Sequence, residues 1–155
     1  MQKPVDGLPN ERGALDAESH AEAFQKTRNA RRNELLEDYV ELIAELIDAE
    51  GEARQVDIAR RLGVAQPTVA KMLKRLSDEG LVLKKPYRGI FLTDAGRELA
   101  LECRRRHDIV EGFLRALGVD DETARHDAEG IEHYVSAETL EVFERFVAEK
   151  SAEPQ

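Results

Sequence analysis

The sequence predicts a mostly α-helical fold, with an N-terminal winged helix-turn-helix domain and a helical domain after it. Three observations support this prediction: apolar residues repeat at helical spacing through most of the chain, glycines interrupt the repeats, and one short basic segment is β-prone. A length of 155 residues with 41% hydrophobic residues suits one ordinary domain or two small domains that share a core.

The N-terminal part of the sequence predicts an arm and one long helix. The first 19 residues mix proline, glycine and charge without periodicity, which is typical of a disordered or loosely attached arm over residues 1–19. From about His20 to Gly51 the chain contains neither glycine nor proline, and its apolar residues recur at helical spacing. The repeat comprises Leu36, Val40, Ile43 and Ile47. One long amphipathic helix is therefore predicted, and Gly51 ends it.

Two shorter helices separated by Gly63 follow. Residues 56–62 predict the first, and Pro67 lies in the first turn of the second, where its missing amide costs no hydrogen bond. The buried stripe of the second helix comprises Val69, Met72, Leu73 and Leu76. Two β-prone runs, Leu81–Leu83 and Ile90–Leu92, then flank a basic, turn-rich segment, and together they predict a β-hairpin that would form the wing. This order is typical of a winged helix-turn-helix, which we place at residues 20–93.

The remainder of the chain predicts three more helices. Thr93 can cap a helix that begins at Asp94 and extends to about Gly118. An acidic helix is predicted at about residues 121–135, and a last helix opens at Ser136. These helices form a second domain at residues 94–150.

Charge is segregated along the chain. The net charge is −9, but residues 51–93 hold 9 Lys and Arg against 4 Asp and Glu, whereas the segments on either side are acidic. The central segment is therefore the candidate for contact with phosphate. Once its apolar residues are assigned to the core, the candidate DNA-binding residues are Gln66, Pro67, Thr68, Lys71, Lys74 and Arg75 on the third helix and Lys84, Lys85 and Arg88 on the wing.

These residue types suit double-stranded operator DNA. Gln can pair with adenine, Thr can contact base edges, and Lys and Arg neutralise phosphates. An isolated basic helix face is more typical of a solvated surface. The combination of turn, proline, apolar stripe and basic hairpin, in this order, favours DNA as the partner.

Carboxylates and histidines recur at helical spacing on three of the predicted helices. One pair projects to one side of the first long helix, a Glu-x-x-Glu-His cluster lies on the acidic helix, and one histidine lies on the helix before it. In chain order they are Asp38, Glu41, His107, Glu129, Glu132 and His133. Taken alone, each group is more typical of a solvated acidic face.

Together these residues predict a metal site. Four carboxylates held close together repel one another, and two divalent cations would offset their four charges. One histidine per ion with several carboxylate oxygens is a hard donor set that suits Mn2+, and neither Cys nor Met joins it. We therefore expect Mn2+ as the cofactor, with two ions per subunit.

Five motifs, specific in combination, carry a resemblance to a known family. They are EDYVELI, GVAQPTVAKMLKRL, YRGIFLTDAG, RRRHDIVEGFL and DAEGIEHYVS. Over residues 34–150 the chain resembles the manganese transport regulator branch of the diphtheria toxin repressor family, the iron-dependent repressors. The resemblance implies that the six residues above form a two-metal site, that Mn2+ is a co-repressor acting on manganese uptake genes, and that the helices after the wing join a homodimer.

Three positions compare with the family in an informative way. Iron-sensing relatives have Met and Cys at the positions of Asp38 and Glu129, so the oxygen ligands of this chain indicate manganese. Tyr134 stands where a second histidine is common in the family.

Other classes of function fit the sequence less well. No apolar run approaches the roughly 20 residues that span a bilayer, and no signal peptide pattern is present, so a cytoplasmic protein without a membrane partner is expected. A di-iron carboxylate enzyme would need two Glu-x-x-His pairs, and neither a nucleophile nor an oxyanion donor indicates catalysis, so we expect no enzyme. The alternative is a winged-helix regulator that senses another metal or a small organic ligand.

Overall fold

The computed structural model describes residues 16–152, which form six α-helices and one β-hairpin. The helices are α1 (Ala17–Glu50), α2 (Gln55–Leu62), α3 (Gln66–Asp78), α4 (Asp94–Ala116), α5 (Asp121–Ile131) and α6 (Ala137–Ala152), and the strands are β1 (Val82–Lys85) and β2 (Gly89–Leu92). The predicted mostly helical fold with a winged helix-turn-helix is confirmed. Across this range, every helix is too short or too polar to cross a membrane.

The first helix begins three residues before the predicted start. Asp16 caps it, because its carboxylate accepts a hydrogen bond from the backbone amide of Ser19 at 2.8 Å. Residues 17–19, predicted as part of the arm, are therefore helical, and residues 1–15 of that predicted arm lie outside the described residues. The second half of α1 is buried along the predicted apolar stripe, and Gly51 ends the helix in a left-handed conformation.

Two hydrophobic clusters form the interior. The larger one joins α1, α2, α3 and the hairpin, with Ile43 and Leu76 completely buried. The smaller one joins α4, α5 and α6 around Val110 and Leu140. Helix α4 contributes to both clusters, with Ala100 in the first and Val110 in the second. It therefore links the winged unit, formed by α1, α2, α3 and the hairpin, to the C-terminal helices α5 and α6.

The strands of the wing are longer than predicted. The basic residues 84–85, predicted in the turn, lie on β1, and Lys85 pairs with Gly89. The turn is confined to three residues because the amide of Arg88 donates to the carbonyl of Lys85 at 3.2 Å and Tyr87 takes a left-handed φ of 62°. Gly89 is required here, since a Cβ would lie 2.6 Å from the carbonyl oxygen of Ala53.

The acidic helix α5 is four residues shorter than predicted. The amide of Tyr134 donates to the carbonyl of Ile131 at 3.0 Å, a spacing that closes a tight turn in place of a further α-helical turn. Glu132 and His133 therefore lie in this turn and not on the helix face, and both are buried. The turn directs them toward α1.

Gly96 provides a stability test of the junction between the wing and α4. A Cβ at this position would lie 2.1 Å from the carbonyl oxygen of Leu81. We expect Gly96→Ala to lower the free energy of unfolding by about 1–3 kcal/mol, because the added methyl group overpacks this junction against backbone atoms. The control is Gly112→Ala in the same helix, whose Cβ would meet only Val147 Cγ2 at 4.0 Å.

The control should have the opposite sign. Gly112→Ala is expected to raise the free energy of unfolding by up to about 1 kcal/mol through helix propensity. Urea denaturation of both variants in the presence of chelator measures the difference. Equal stability of the two variants would contradict the tight packing of α4 against the end of the wing.

Candidate metal centre and nucleic-acid interface

All six predicted metal ligands lie in or beside one cleft between α1, α4 and the turn after α5. The first of them are on helices: Asp38 and Glu41 on α1, His107 on α4 and Glu129 on α5. The last two, Glu132 and His133, are in the turn. Asp38, Glu41, Glu129 and His133 line the open part of the cleft, and the other two ligands lie behind them. Their convergence depends on the packing of α1 and α5 against α4.

Glu132 lies at the centre of this set. Its Oε1 is 3.6 Å from Nδ1 of His107 and 3.8 Å from Nε2 of His133. Glu129 Oε1 lies 3.6 Å from the same nitrogen of His107, and Asp38 Oδ1 lies 3.3 Å from the same nitrogen of His133. The side chains thus form two adjacent groups, one around each histidine, that share Glu132.

The surroundings of Glu132 fit a divalent cation. The residue is 1% exposed, and neither of its carboxylate oxygens has a hydrogen-bond partner among residues 16–152. Burying a carboxylate without a partner is unfavourable, and a bound cation would remove that cost. Carboxylate oxygens with one imidazole nitrogen per group are donors that hard or borderline divalent ions accept.

Burial and crowding of carboxylates shift the pKa values in the cleft. Burial, followed by the charge of Glu129, raises the pKa of Glu41 to about 7. Burial and the charge of Glu41 likewise raise the pKa of Glu132 to about 7. Burial alone would lower the pKa of His133, but hydrogen bonds to two carboxylates outweigh it and raise that pKa to about 10. The metal-free cleft therefore retains protons that a cation would displace.

Sequence reasoning missed two carboxylates that contact the histidines. Glu37 accepts a hydrogen bond from His133 Nδ1 at 2.7 Å, and Glu111 accepts one from His107 Nε2 at 2.8 Å. Glu111 follows His107 by four residues on α4, so helical spacing could have indicated this contact. No sequence signal relates Glu37 to a residue 96 positions away.

The predicted DNA-binding residues lie on α3 and the wing. Eight of the nine are exposed, and Arg75 is half-buried. Three residues of the predicted apolar stripe of α3, Val69, Leu73 and Leu76, are buried in the core, and the fourth, Met72, is half-buried against it. Lys74 of α3 and Lys84 of β1 line one groove, so helix and wing present basic side chains next to each other.

Part of this basic surface is free of ion pairs. Among residues 16–152, Lys71, Lys84 and Arg88 have no acidic partner. Lys74 pairs with Asp78 at 2.9 Å, and Arg75 pairs with Glu79 at 3.3 Å. Exposed pairs of this kind contribute only about 0.3–0.5 kcal/mol, so phosphate groups can compete for both cations.

A winged helix with an exposed basic face, linked by α1 and α4 to a buried carboxylate and histidine cleft, defines a metal-dependent DNA-binding regulator. The family models agree with this class. The iron dependent repressor N-terminal DNA binding domain matches residues 33–90, and the iron dependent repressor metal binding and dimerisation domain matches residues 93–155. The chain belongs to the iron dependent repressor family, a family of transcriptional repressors, and the resemblance drawn from its sequence motifs is confirmed.

Individual relatives place the chain within this family. The transcriptional regulator MntR of Escherichia coli O6:H1 is 58% identical over 89% of this chain and 89% of its own length. The transcriptional regulator MntR of Salmonella typhimurium is 59% identical over 85% of this chain and 84% of its own. The solved structure of the manganese regulator SloR is 34% identical, with a TM-score of 0.64 over 73% of this chain. This chain spans about half of that solved protein, 53% of its length.

Proposed function

We propose that this protein is a manganese-responsive transcriptional repressor with Mn2+ as its co-repressor. The observation that carries the proposal is the buried Glu132, whose oxygens have no hydrogen-bond partner in the described part of the chain and whose Oε1 lies between the two histidines. The similarity to MntR proteins and to the manganese regulator SloR supports manganese as the ion. The family resemblance of the sequence motifs implies manganese uptake genes as the targets.

Two Mn2+ ions per subunit would use the two groups of side chains, and the donor atoms of His107, Glu129 and Glu132 already lie within 4.8 Å of one another. His107 and Glu129 would hold one ion, His133, Asp38 and Glu41 would hold the other, and Glu132 would be shared between them. When bound, the ions supply the positive charge that relieves the repulsion among four carboxylates. The absence of Cys and Met from this set favours Mn2+ over ions that prefer sulfur.

The position of the cleft suggests how metal controls DNA binding. Asp38 and Glu41 are on α1, which shares a core with α2, α3 and the wing. Glu129 is on α5, which packs against α4, and Glu132 and His133 are in the turn that follows α5. Ions in the cleft would fix the winged unit relative to the C-terminal unit. A coupling free energy of about 1–3 kcal/mol would change DNA affinity by roughly 5- to 150-fold.

The partner is double-stranded operator DNA, bound by a homodimer in the cytoplasm. Helix α3 would enter the major groove, with Gln66, Thr68 and Lys71 toward the bases, while Lys84 and Arg88 of the wing would contact phosphates. The dimer would be formed by the C-terminal helices, since residues 93–155 match a dimerisation domain. Two winged units related by a two-fold axis require two half-sites about one helical turn of DNA apart.

A metal count after dialysis tests the proposed cofactor. We expect two Mn2+ per chain after equilibrium dialysis against excess Mn2+, because each histidine group would hold one ion. A sensor of a small organic ligand would use the same winged unit but retain no manganese. Dialysis of the protein unfolded in denaturant is the control, because it measures the Mn2+ that acidic residues bind without a folded site. A folded protein that retains no Mn2+ would contradict the proposal.

A further inference from the structure

We propose that Glu37 and Arg106 are positioning residues that fix the ring of His133, so that its Nε2 atom faces the metal cleft. The inference rests on the proposed function, because it concerns how the histidine is presented to the ion. Neither residue lines the open part of the cleft. Both act through His133, from the side of the ring that faces away from the other ligands.

Glu37 determines which ring nitrogen of His133 keeps its hydrogen when an ion binds the other nitrogen. The residue is 8% exposed, and its Oε2 lies 2.7 Å from Nδ1 of His133. A carboxylate only accepts hydrogen bonds, so Nδ1 is the donor in this contact. The opposite nitrogen, Nε2, faces Asp38 at 3.3 Å and Glu132 at 3.8 Å and is the one whose lone pair can bind an ion.

Arg106 holds Glu37 in place. Its Nη2 donates to the same Oε2 of Glu37 at 2.5 Å, from α4 to α1 across 69 residues of sequence. An isolated buried carboxylate would be strongly unfavourable, and this ion pair compensates for its burial. Helix α1, helix α4 and the turn that carries His133 are thereby locked to one another at a single carboxylate oxygen.

The same arrangement recurs at His107, except that here Nε2 contacts the orienting carboxylate and Nδ1 faces the cleft. Nε2 of His107 donates to Glu111 at 2.8 Å, and Arg115 contacts the other oxygen of Glu111 at 2.5 Å. This leaves Nδ1 of His107 to face Glu129 and Glu132, each at 3.6 Å. Two independent arginine, carboxylate and histidine sets thus aim two ring nitrogens at Glu132, which supports a role in the metal site rather than in packing alone.

Substitution of Glu37 tests the positioning role. Glu37→Gln keeps the size of the side chain and one acceptor oxygen, but removes the charge and the ion pair with Arg106. We expect Mn2+ affinity to fall about 10- to 100-fold, the usual effect of losing a residue that orients a ligand. Titration followed by the electron paramagnetic resonance signal of free Mn2+ measures it. The matched control is Glu144→Gln, which removes the 3.1 Å ion pair of the neighbouring Arg105 and should leave the affinity unchanged.

A spectroscopic measurement separates positioning from mere stabilisation. The sample is protein with 15N-labelled histidine and bound Cd2+, which is diamagnetic and so suits NMR. The chemical shifts of the ring nitrogens should show that His133 binds the ion through Nε2 and keeps hydrogen on Nδ1, and that His107 binds through Nδ1. Binding of His133 through Nδ1, or wild-type Mn2+ affinity in Glu37→Gln, would overturn the inference. A wild-type protein that binds no Mn2+ would instead overturn the proposed function.

Discussion

Glu132→Gln is expected to abolish manganese-dependent DNA binding and, at the same time, to stabilise the metal-free protein. The substitution removes the carboxylate shared by both histidine groups, so Mn2+ affinity should fall by at least about 100-fold, more than for a residue that only orients a ligand. The metal-free protein gains stability because a buried carboxylate, which has no hydrogen-bond partner among residues 16–152, is replaced by a neutral amide of the same size.

The size of the stability gain depends on pH. Burial raises the pKa of Glu132 to about 7, so the ionised form is disfavoured in the folded state, and stability falls as pH rises from the unfolded pKa through the folded one. At pH 8 we expect Glu132→Gln to raise the free energy of unfolding by about 1–3 kcal/mol. At pH 5 the wild-type side chain is protonated, and the difference should be small.

Urea denaturation with chelator at the two pH values measures this effect, and a mobility-shift assay with Mn2+ measures DNA binding. Glu129→Ala is the matched second variant: its side chain is 63% exposed, so it should lose metal-dependent DNA binding without a comparable gain in stability. Mn2+-dependent DNA binding that survives in Glu132→Gln would show that the metal is held elsewhere.

Lys71→Ala is expected to weaken DNA binding with little effect on Mn2+ binding. Lys71 is exposed on α3 and has no ion-pair partner among the described residues, so its charge is available to DNA. We expect a loss of about 1–3 kcal/mol, or roughly 5- to 150-fold in affinity, at saturating Mn2+. Arg88→Ala on the wing should instead make the salt dependence less steep, reducing the magnitude of the slope of log affinity against log salt concentration by about one.

Fluorescence anisotropy over a range of salt concentrations distinguishes the two effects. Arg145→Ala on α6 is the control, because it removes the same charge from an exposed position outside α3 and the wing. If Arg145→Ala weakened DNA binding as much as Lys71→Ala, the assignment of α3 as the DNA-reading helix would be wrong.

Much of the fold could be predicted from the sequence because local spacing determines it. The apolar stripes of α1 and α3, the glycine at the end of α1 and the Thr93 cap of α4 are local features, and the structure has each of them. Element ends were less predictable, since they depend on single hydrogen bonds. Asp16 starts α1 early, and the bond from Tyr134 to Ile131 ends α5 early.

The cleft was predictable in its ligand types and not in its supporting contacts. Helical spacing indicated two separate groups, Asp38 with Glu41 and the cluster at residues 129–133, because the members of each group lie close together in the chain. The contacts of Glu37 with His133 and Arg106 join residues 96 and 69 positions apart, and only the tertiary packing of α1, α4 and the turn brings them together. Metal binding by the six predicted ligands and DNA binding by the nine predicted DNA-binding residues both stay predictions.

The most direct test of metal-controlled DNA binding is fluorescence anisotropy with a palindromic candidate operator at fixed salt, in chelator, Mn2+, Fe2+ or Zn2+. We expect tight binding with Mn2+ and weakening of roughly 5- to 150-fold with chelator, because the ions fix the winged unit relative to the C-terminal helices. Equal affinity with Mn2+ and with chelator would contradict the account, leaving a DNA-binding protein whose acidic cleft does not control it.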